Sequence, residues 1–186
     1  MSAVLDRKLR TMVLESFADT VLPGEKRSPD DRAIAGAARG GGAVQAGAVA
    51  VLQTPEGGMA PALDDLADSL NRHASAYRAR LGLGADEGAS FTDLSFEHRT
   101  ALVQELVAPG HPEHGIWVGL AMFCFMAFDT GAHLHTTEAI AAGHPGLATL
   151  GFAPPGEDGL WRFDAYSYGR KLAEIHPNTD STGSPK

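Results

Sequence analysis

The polar residues that follow the most apolar part of the chain are the ones whose spacing suits chemistry. Asp129 and His133 are four residues apart, so on a continuous helix both side chains lie on one face. There the carboxylate could orient the imidazole as a general base, or both groups could bind a metal. His135 joins them only if the helix has ended, because positions two apart on a helix point about 200° away from each other. The alternative is a plain helix end, where histidines cap carbonyl groups or fill polar core positions.

Other candidate residues give weaker signals. His111 and His114 flank Pro112 in a loop, where Glu113 is the single nearby carboxylate and no metal-ligand spacing is recognisable. No three ligands converge, so we expect no bound metal. No G-x-S-x-G elbow supports serine hydrolysis. Cys124 is the single cysteine and lies in an apolar run, which predicts a buried structural thiol.

These side chains must be positioned by residues 116–128, IWVGLAMFCFMAF, which carry no charge. The run is too short to cross a membrane, which takes about 20 apolar residues. Its Leu, Ala, Met and Phe favour a helix over a strand. We predict a central helix at about 116–132 that is buried on all sides. Its core residues are predicted to be Trp117, Leu120, Phe123, Cys124 and Phe128.

Apolar residues at spacings of three and four predict further helices at 3–21, 43–52, 59–83, 96–107 and 136–142. The aromatic-bearing segment 160–175 follows, and no alternating strand pattern is found. The predicted fold class is therefore all-α, a single-domain helical bundle over residues 1–176. Long irregular loops, above all 25–42, interrupt it. The polar tail 177–186 is predicted to be disordered.

Composition excludes several functional classes. The chain has 186 residues, 44% of them hydrophobic and 20% charged, as expected for a globular domain. Its net charge is −8, and no stripe of basic residues with interleaved aromatics points to nucleic acid. The N-terminal segment lacks a secretory pattern and no run is long enough to span a membrane, which predicts a cytoplasmic location.

Two phrases of the chain carry a resemblance to a known family. The first is residues 17–38, FADTVLPGEKRSPDDRAIAGAA, in which Asp19-Thr20-Val21-Leu22-Pro23 matches a D-x-[IVL]-[IVL]-P pattern at a helix end. The second is Leu150-Gly151-Phe152, followed by Pro155-Gly156. Both phrases resemble the gluconate 2-dehydrogenase subunit 3 group and related actinobacterial proteins. The group often carries a twin-arginine export signal and an Asp-Pro, Gly-Gly-Asn stretch, and this chain has neither. Their absence favours a cytoplasmic partner in specialised metabolism.

The resemblance implies a non-catalytic accessory subunit. Such a subunit binds and stabilises a large flavin-dependent oxidoreductase of the glucose–methanol–choline (GMC) type, with FAD in the partner and no cofactor of its own. Apolar residues in the long loop and the late aromatic cluster are predicted to contact the partner. The predicted partner-binding residues are Arg32, Ala33, Ile34, Arg39, Trp161 and Tyr166.

Two other functional classes stay open. One is a small stand-alone helical enzyme whose pocket is lined by Asp129, His133 and His135. The other is a ligand-binding or regulatory module, which no specific residue pattern indicates.

Overall fold

The computed structural model describes residues 2–26, 28–29, 31, 33–36, 39–83, 90–152, 157 and 178, with side chains from residue 7 onward. In this range the protein is all-α, as predicted, with seven α-helices and no strand. Short 3-10 turns lie at Pro55–Gly57, Ala60–Ala62 and Phe91–Asp93. The helices are α1 Ser2–Val21, α2 Ala48–Gln53, α3 Leu63–Leu81, α4 Phe96–Leu106, α5 His114–Thr130, α6 Thr136–Ala141 and α7 Pro145–Leu150.

Local signals set the ends of several helices. The Ser95 hydroxyl caps α4 by accepting the His98 N–H at 3.3 Å. Gly82 and Gly131 end α3 and α5 in the left-handed conformation, which glycine adopts without steric cost. The predicted helices at 59–83, 96–107 and 116–132 are thus confirmed, with ends shifted by a few residues. The predicted helix at 43–52 is shorter, because residues 43–47 form turns before α2 begins.

Helix α7 lies between the predicted helix 136–142 and the segment 160–175, where no helix was predicted. Pro145 occupies its first turn, where the missing N–H has no partner to lose. Gly146 lets α7 approach the end of α5 closely, since an added Cβ would lie 1.8 Å from the Phe128 carbonyl oxygen. Pro145 therefore serves helix initiation, and Gly146 serves close packing.

The core is organised around two helices rather than one. Helix α1 packs against α2, α3, α4 and α5, whereas α5 packs mainly against α2 and α7. The two helices meet at Phe17 and Trp117, whose ring centroids are 6.1 Å apart and whose side chains are fully buried. All residues of α1 from Val13 to Thr20 are buried. Helix α5 is therefore central, as predicted, but α1 shares the centre of the core with it.

The prediction that α5 is buried on all sides, in contrast, is wrong. Its inner face places Trp117, Leu120 and Cys124 in the core, as predicted. Its outer face exposes Met122 by 65% and Phe125 by 45%. The predicted core residues Phe123 and Phe128 are only partly buried. The described helices that pack on α5 cover one side of it, so an apolar run does not become a fully buried helix.

The chain divides into a compact unit of residues 1–152 and a second unit of residues 153–186. Only Glu157 and Asn178 of the second unit are described. The predicted extension of the helical domain to residue 176, the aromatic-bearing segment 160–175 and, except for Asn178, the tail 177–186 therefore lie outside the described residues.

Candidate functional site

The aspartate of the D-x-[IVL]-[IVL]-P phrase anchors the long loop. Asp19 is fully buried near the end of α1. One carboxylate oxygen accepts the Gly24 N–H at 3.4 Å, and the other accepts the Ala35 N–H. The Arg99 guanidinium of α4 lies 3.8 Å from the same carboxylate. Asp19 therefore ties two points of the loop to α1 and α4.

Burial works against both charges of this pair. It raises the pKa of Asp19, a shift that the donated N–H groups and the attraction of Arg99 partly oppose. It likewise lowers the pKa of Arg99. Arg99 Nη1 donates to the Ser16 carbonyl at 3.4 Å, whereas its Nε has no hydrogen-bond partner among the described residues. The pair holds the loop in place, which is a structural role.

The loop residues predicted to contact a partner lie in different environments. Ala33 is fully buried within the chain, and its N–H donates to Asp31 at 2.9 Å. The expectation that Ala33 needs a partner's surface is therefore wrong, because the loop folds back onto its own chain. Ile34 is half-buried and Arg39 is exposed. The predicted contact residues Arg32, Trp161 and Tyr166 lie outside the described residues.

The structure separates the residues of the predicted pocket. Helix α5 ends at Thr130, so Asp129 and His133 do not share a helical face. Asp129 is exposed at the rim of an apolar groove. His133 packs on Gly47, where an added Cβ would lie 2.4 Å from the imidazole. His135 is exposed, and its Nδ1 lies 2.7 Å from the Thr137 hydroxyl.

His133 and His144 are held in a partly enclosed site beside Gly47. Burial, and secondly the nearby His144, lowers the pKa of His133. His144 Nδ1 accepts the Leu147 N–H at 3.3 Å, and its Nε2 lies 3.1 Å from the Ala46 carbonyl oxygen. In the neutral form of His144, these partners select the tautomer that donates from Nε2. His144 thus caps α7 and ties it to the turn before α2.

A polar cluster around Glu113 was missed at the level of sequence. Its Oε2 accepts the Trp117 indole N–H at 2.9 Å and lies 2.7 Å from Nε2 of His73 on α3. The Glu113 backbone N–H donates to His111 Nδ1 at 3.1 Å. The His73 and His111 rings meet edge to face, with centroids 5.6 Å apart. The four-residue spacing of Glu113 and Trp117 was a usable signal, but the partner on α3 was not predictable from spacing.

The hydrogen bond from His73, and secondly that from Trp117, lowers the pKa of Glu113. An adjoining groove of about 430 Å³ is lined by Met59, Leu66, Ile116 and Arg72, among others. A carboxylate that fixes one imidazole tautomer is the arrangement from which general bases are built. The cluster therefore has the components for acid–base chemistry beside a binding groove.

A second groove of about 460 Å³ runs along the exposed outer face of α5. Its lining is almost entirely apolar, with Asp129 as the charged member. Soluble proteins seldom leave a contiguous apolar patch in water unless it binds something. The lining residues are Gly119, Met122, Phe123, Phe125, Met126, Asp129 and Thr130.

Three further observations bear on the site. Within the described residues, no group of three or more His, Cys, Asp or Glu side chains is arranged to hold a metal ion. Likewise, none of the described helices has the combined length and hydrophobicity that crossing a lipid bilayer requires. Burial raises the pKa of the Cys124 thiol to about 12, so this thiol is not a nucleophile at neutral pH.

Comparison with known proteins gives one match. No curated protein and no solved structure is significantly similar to this chain. A family model, in contrast, covers residues 8–186, which is nearly the whole sequence. The chain belongs to this family of unknown function, DUF5987.

Proposed function

We propose that this protein is a non-catalytic accessory subunit that binds and stabilises a flavin-dependent oxidoreductase of the GMC type. In this proposal FAD resides in the partner, and the complex acts in specialised metabolism in the cytoplasm. The outer face of α5 is the docking surface.

The observation that carries the proposal is the exposed apolar face of α5. Met122, Phe125 and Met126 are exposed by 65, 45 and 36%. Aromatic residues and methionine are enriched in the cores of protein interfaces, and their transfer out of water is the main favourable term in association. A partner that covers these side chains removes their apolar surface from water, which favours association.

The choice of partner rests on the resemblance. The Asp19 phrase and the Leu150-Gly151-Phe152 phrase are similar to those of a small helical subunit that accompanies such flavoenzymes. The buried Asp19 gives the phrase a physical role, since its carboxylate holds the loop against α1. A sequence motif that this chain shares with the small subunit, and that stabilises the fold, supports a common fold for the two proteins.

The test is co-expression of the tagged chain with a GMC-type flavoprotein from the same genome. We expect the two proteins to co-purify, with flavin absorbance in the eluted complex and a higher soluble yield of the flavoprotein. The double variant Met122→Asp/Phe125→Asp should abolish co-purification, because two charges would be buried in an apolar interface.

Leu81→Asp is the matched control, since Leu81 is also an exposed apolar residue but lies at the end of α3. This variant should keep the partner, and circular dichroism should report the same helix content for both variants. Absence of a flavoprotein from the eluate, or equal binding by the double variant, would reject the proposal.

A second candidate function is a small helical enzyme, and the Glu113 cluster favours it. His73 is held by Glu113 beside an apolar groove that also contains Arg72. If the isolated chain converts a small molecule, Glu113→Gln and His73→Gln should each remove this activity. Loss of activity in His133→Ala with both of these variants fully active would instead point to the residues first considered, Asp129, His133 and His135.

A further inference from the structure

Gly119 stands out among the residues of the outer α5 groove. It lies inside a helix, where glycine is less favourable than alanine because it loses more backbone freedom on folding. A Cβ added at Gly119 would meet no atom within 4 Å among the described residues. Packing within the described part of the chain therefore does not require glycine here. Because Gly119 has no side chain, it leaves a notch in the surface of α5 at which another backbone can approach closely.

The notch continues into a stripe at helical spacing. Met122, Phe123 and Met126 follow Gly119 at intervals of three, four and seven residues and line the same groove. This is the pattern that receives an amphipathic helix lying along a groove. An extended strand would instead need an exposed sheet edge, and the described residues contain no strand.

The C-terminal end of this groove is negatively charged. Asp129 is exposed there, and the last turn of α5 contains no basic residue to offset the negative end of the helix dipole. A second copy of this chain is a poor match, because each copy has a net charge of −8. A partner element that ends in Lys or Arg complements both the Asp129 carboxylate and the negative end of the α5 dipole.

We infer that the occupant of the outer α5 groove is one amphipathic helix of the partner protein, packed over Gly119 with a Lys or Arg side chain paired to Asp129. This inference rests on the proposed function and specifies the partner's contact element. It predicts that binding depends on the notch, the apolar stripe and the sign of the charge at residue 129.

The experiment uses the full chain and two synthetic probe peptides. Both are 18-residue amphipathic helices with one Leu and Ala face, and they carry either Lys or Glu on the polar face. Fluorescence anisotropy should give tighter binding of the Lys peptide by about tenfold or more, which corresponds to about 1.4 kcal/mol. Gly119→Leu should weaken binding by a similar factor, while the melting temperature stays the same or rises because leucine favours the helix.

Asp129→Lys should reverse the preference between the peptides. Asp68→Lys is the control, because it changes the net charge equally but lies on the exposed surface of α3. If neither peptide binds, if Gly119→Leu has no effect, or if Asp68→Lys acts like Asp129→Lys, the inference is wrong.

Two other occupants of the groove give distinct results. A concentration-dependent dimer in analytical ultracentrifugation that Gly119→Leu dissociates would assign the groove to a second copy. Flotation with phosphatidylcholine vesicles that Met122→Asp abolishes would assign it to a lipid surface. Each result overturns the helix inference. If the flavoprotein co-purifies through Met122 and Phe125 but Gly119→Leu still binds it normally, the proposed function stands and only the helix inference fails.

Discussion

Helices α1 and α5 are buried to the opposite extent from what their sequences suggest. Helix α5 has the most apolar sequence, yet one face of it exposes Met122 and Phe125. Helix α1 contains Glu15, Ser16 and Asp19 between its apolar residues, yet residues 13–20 are all buried. The difference shows that the elements packed against a helix decide which of its residues are buried. A polar residue can be buried where it finds partners, and an apolar one stays exposed where no described element covers it.

The polar residues of α1 are accommodated by specific bonds. Ser16 and Thr20 hydroxyls donate to carbonyls four residues earlier, at 2.8 and 2.7 Å. Asp19 accepts two backbone N–H groups and faces Arg99. Buried polar groups are tolerated only with such partners. The apolar side chains on the outer face of α5, in contrast, are left exposed by the described residues.

The largest expected effect on stability is that of Asp19→Ala. It leaves Arg99 buried without its counter-ion and frees two backbone N–H groups, which should lower the free energy of unfolding by about 3–5 kcal/mol. Urea denaturation measures the change. Asp129→Ala, at the exposed end of α5, is the control and should be neutral or slightly stabilising, because it removes a negative charge from a helix C-terminus. Equal effects of the two variants would contradict the contrast between α1 and α5.

The second prediction compares two thiols on opposite faces of α5. Cys124 is 1% exposed and its pKa is raised to about 12. At pH 8 its thiolate fraction, and hence its reaction with an aromatic disulfide reagent, should be about a thousandfold lower than that of an ordinary thiol. Met122→Cys in a Cys124→Ala background should react at the ordinary rate. Fast labelling of Cys124 without denaturant would mean that the inner face of α5 opens readily.

The third prediction concerns Glu113, at the start of α5. Its pKa is lowered, so its contribution to stability is present above the ordinary carboxyl pKa and is lost as pH falls through the lowered value. Because the side chain is 38% exposed, solvent screens the interaction, and Glu113→Gln should cost about 1 kcal/mol at pH 7. In urea titrations the difference from the natural chain should shrink as pH falls below the ordinary carboxyl pKa of about 4.3, and it should vanish below the lowered pKa.

Glu56→Gln is the control for this pH dependence, since Glu56 is exposed in the 3-10 turn Pro55–Gly57. Its unfolding curves should overlay those of the natural chain at every pH. A constant offset for Glu113→Gln, independent of pH, would show that the loss comes from packing rather than from the carboxylate charge.

The smallest expected effect is that of Met122→Asp in the isolated protein. The side chain is 65% exposed, so the free energy of unfolding should change by no more than about 0.5 kcal/mol. Leu120→Ala, two residues away on the inner face, should cost about 2–5 kcal/mol. Similar costs for both, measured by urea denaturation, would mean that the outer face of α5 is covered within the protein itself.

Much of the fold was predictable because its signals are local. Hydrophobic spacing located the long helices, and the start of α4 depends on a bond from the Ser95 hydroxyl within one turn. The site was less predictable. The spacing of Asp129 and His133 suggested one face, but Gly131 ends the helix between them. The His73–Glu113 contact joins α3 to the start of α5, and no local pattern encodes such a contact.

The sequence by itself determined the all-α class, the positions of the long helices and their caps, because these depend on interactions between residues a few positions apart. Tertiary structure alone decided that Asp19 meets Arg99, that Glu113 meets His73 and that Ala33 is buried by its own chain. It also decided which side of α5 is covered. Both sides are apolar in sequence, and only the arrangement of α1, α2 and α7 distinguishes the one that packs from the one that is free to bind.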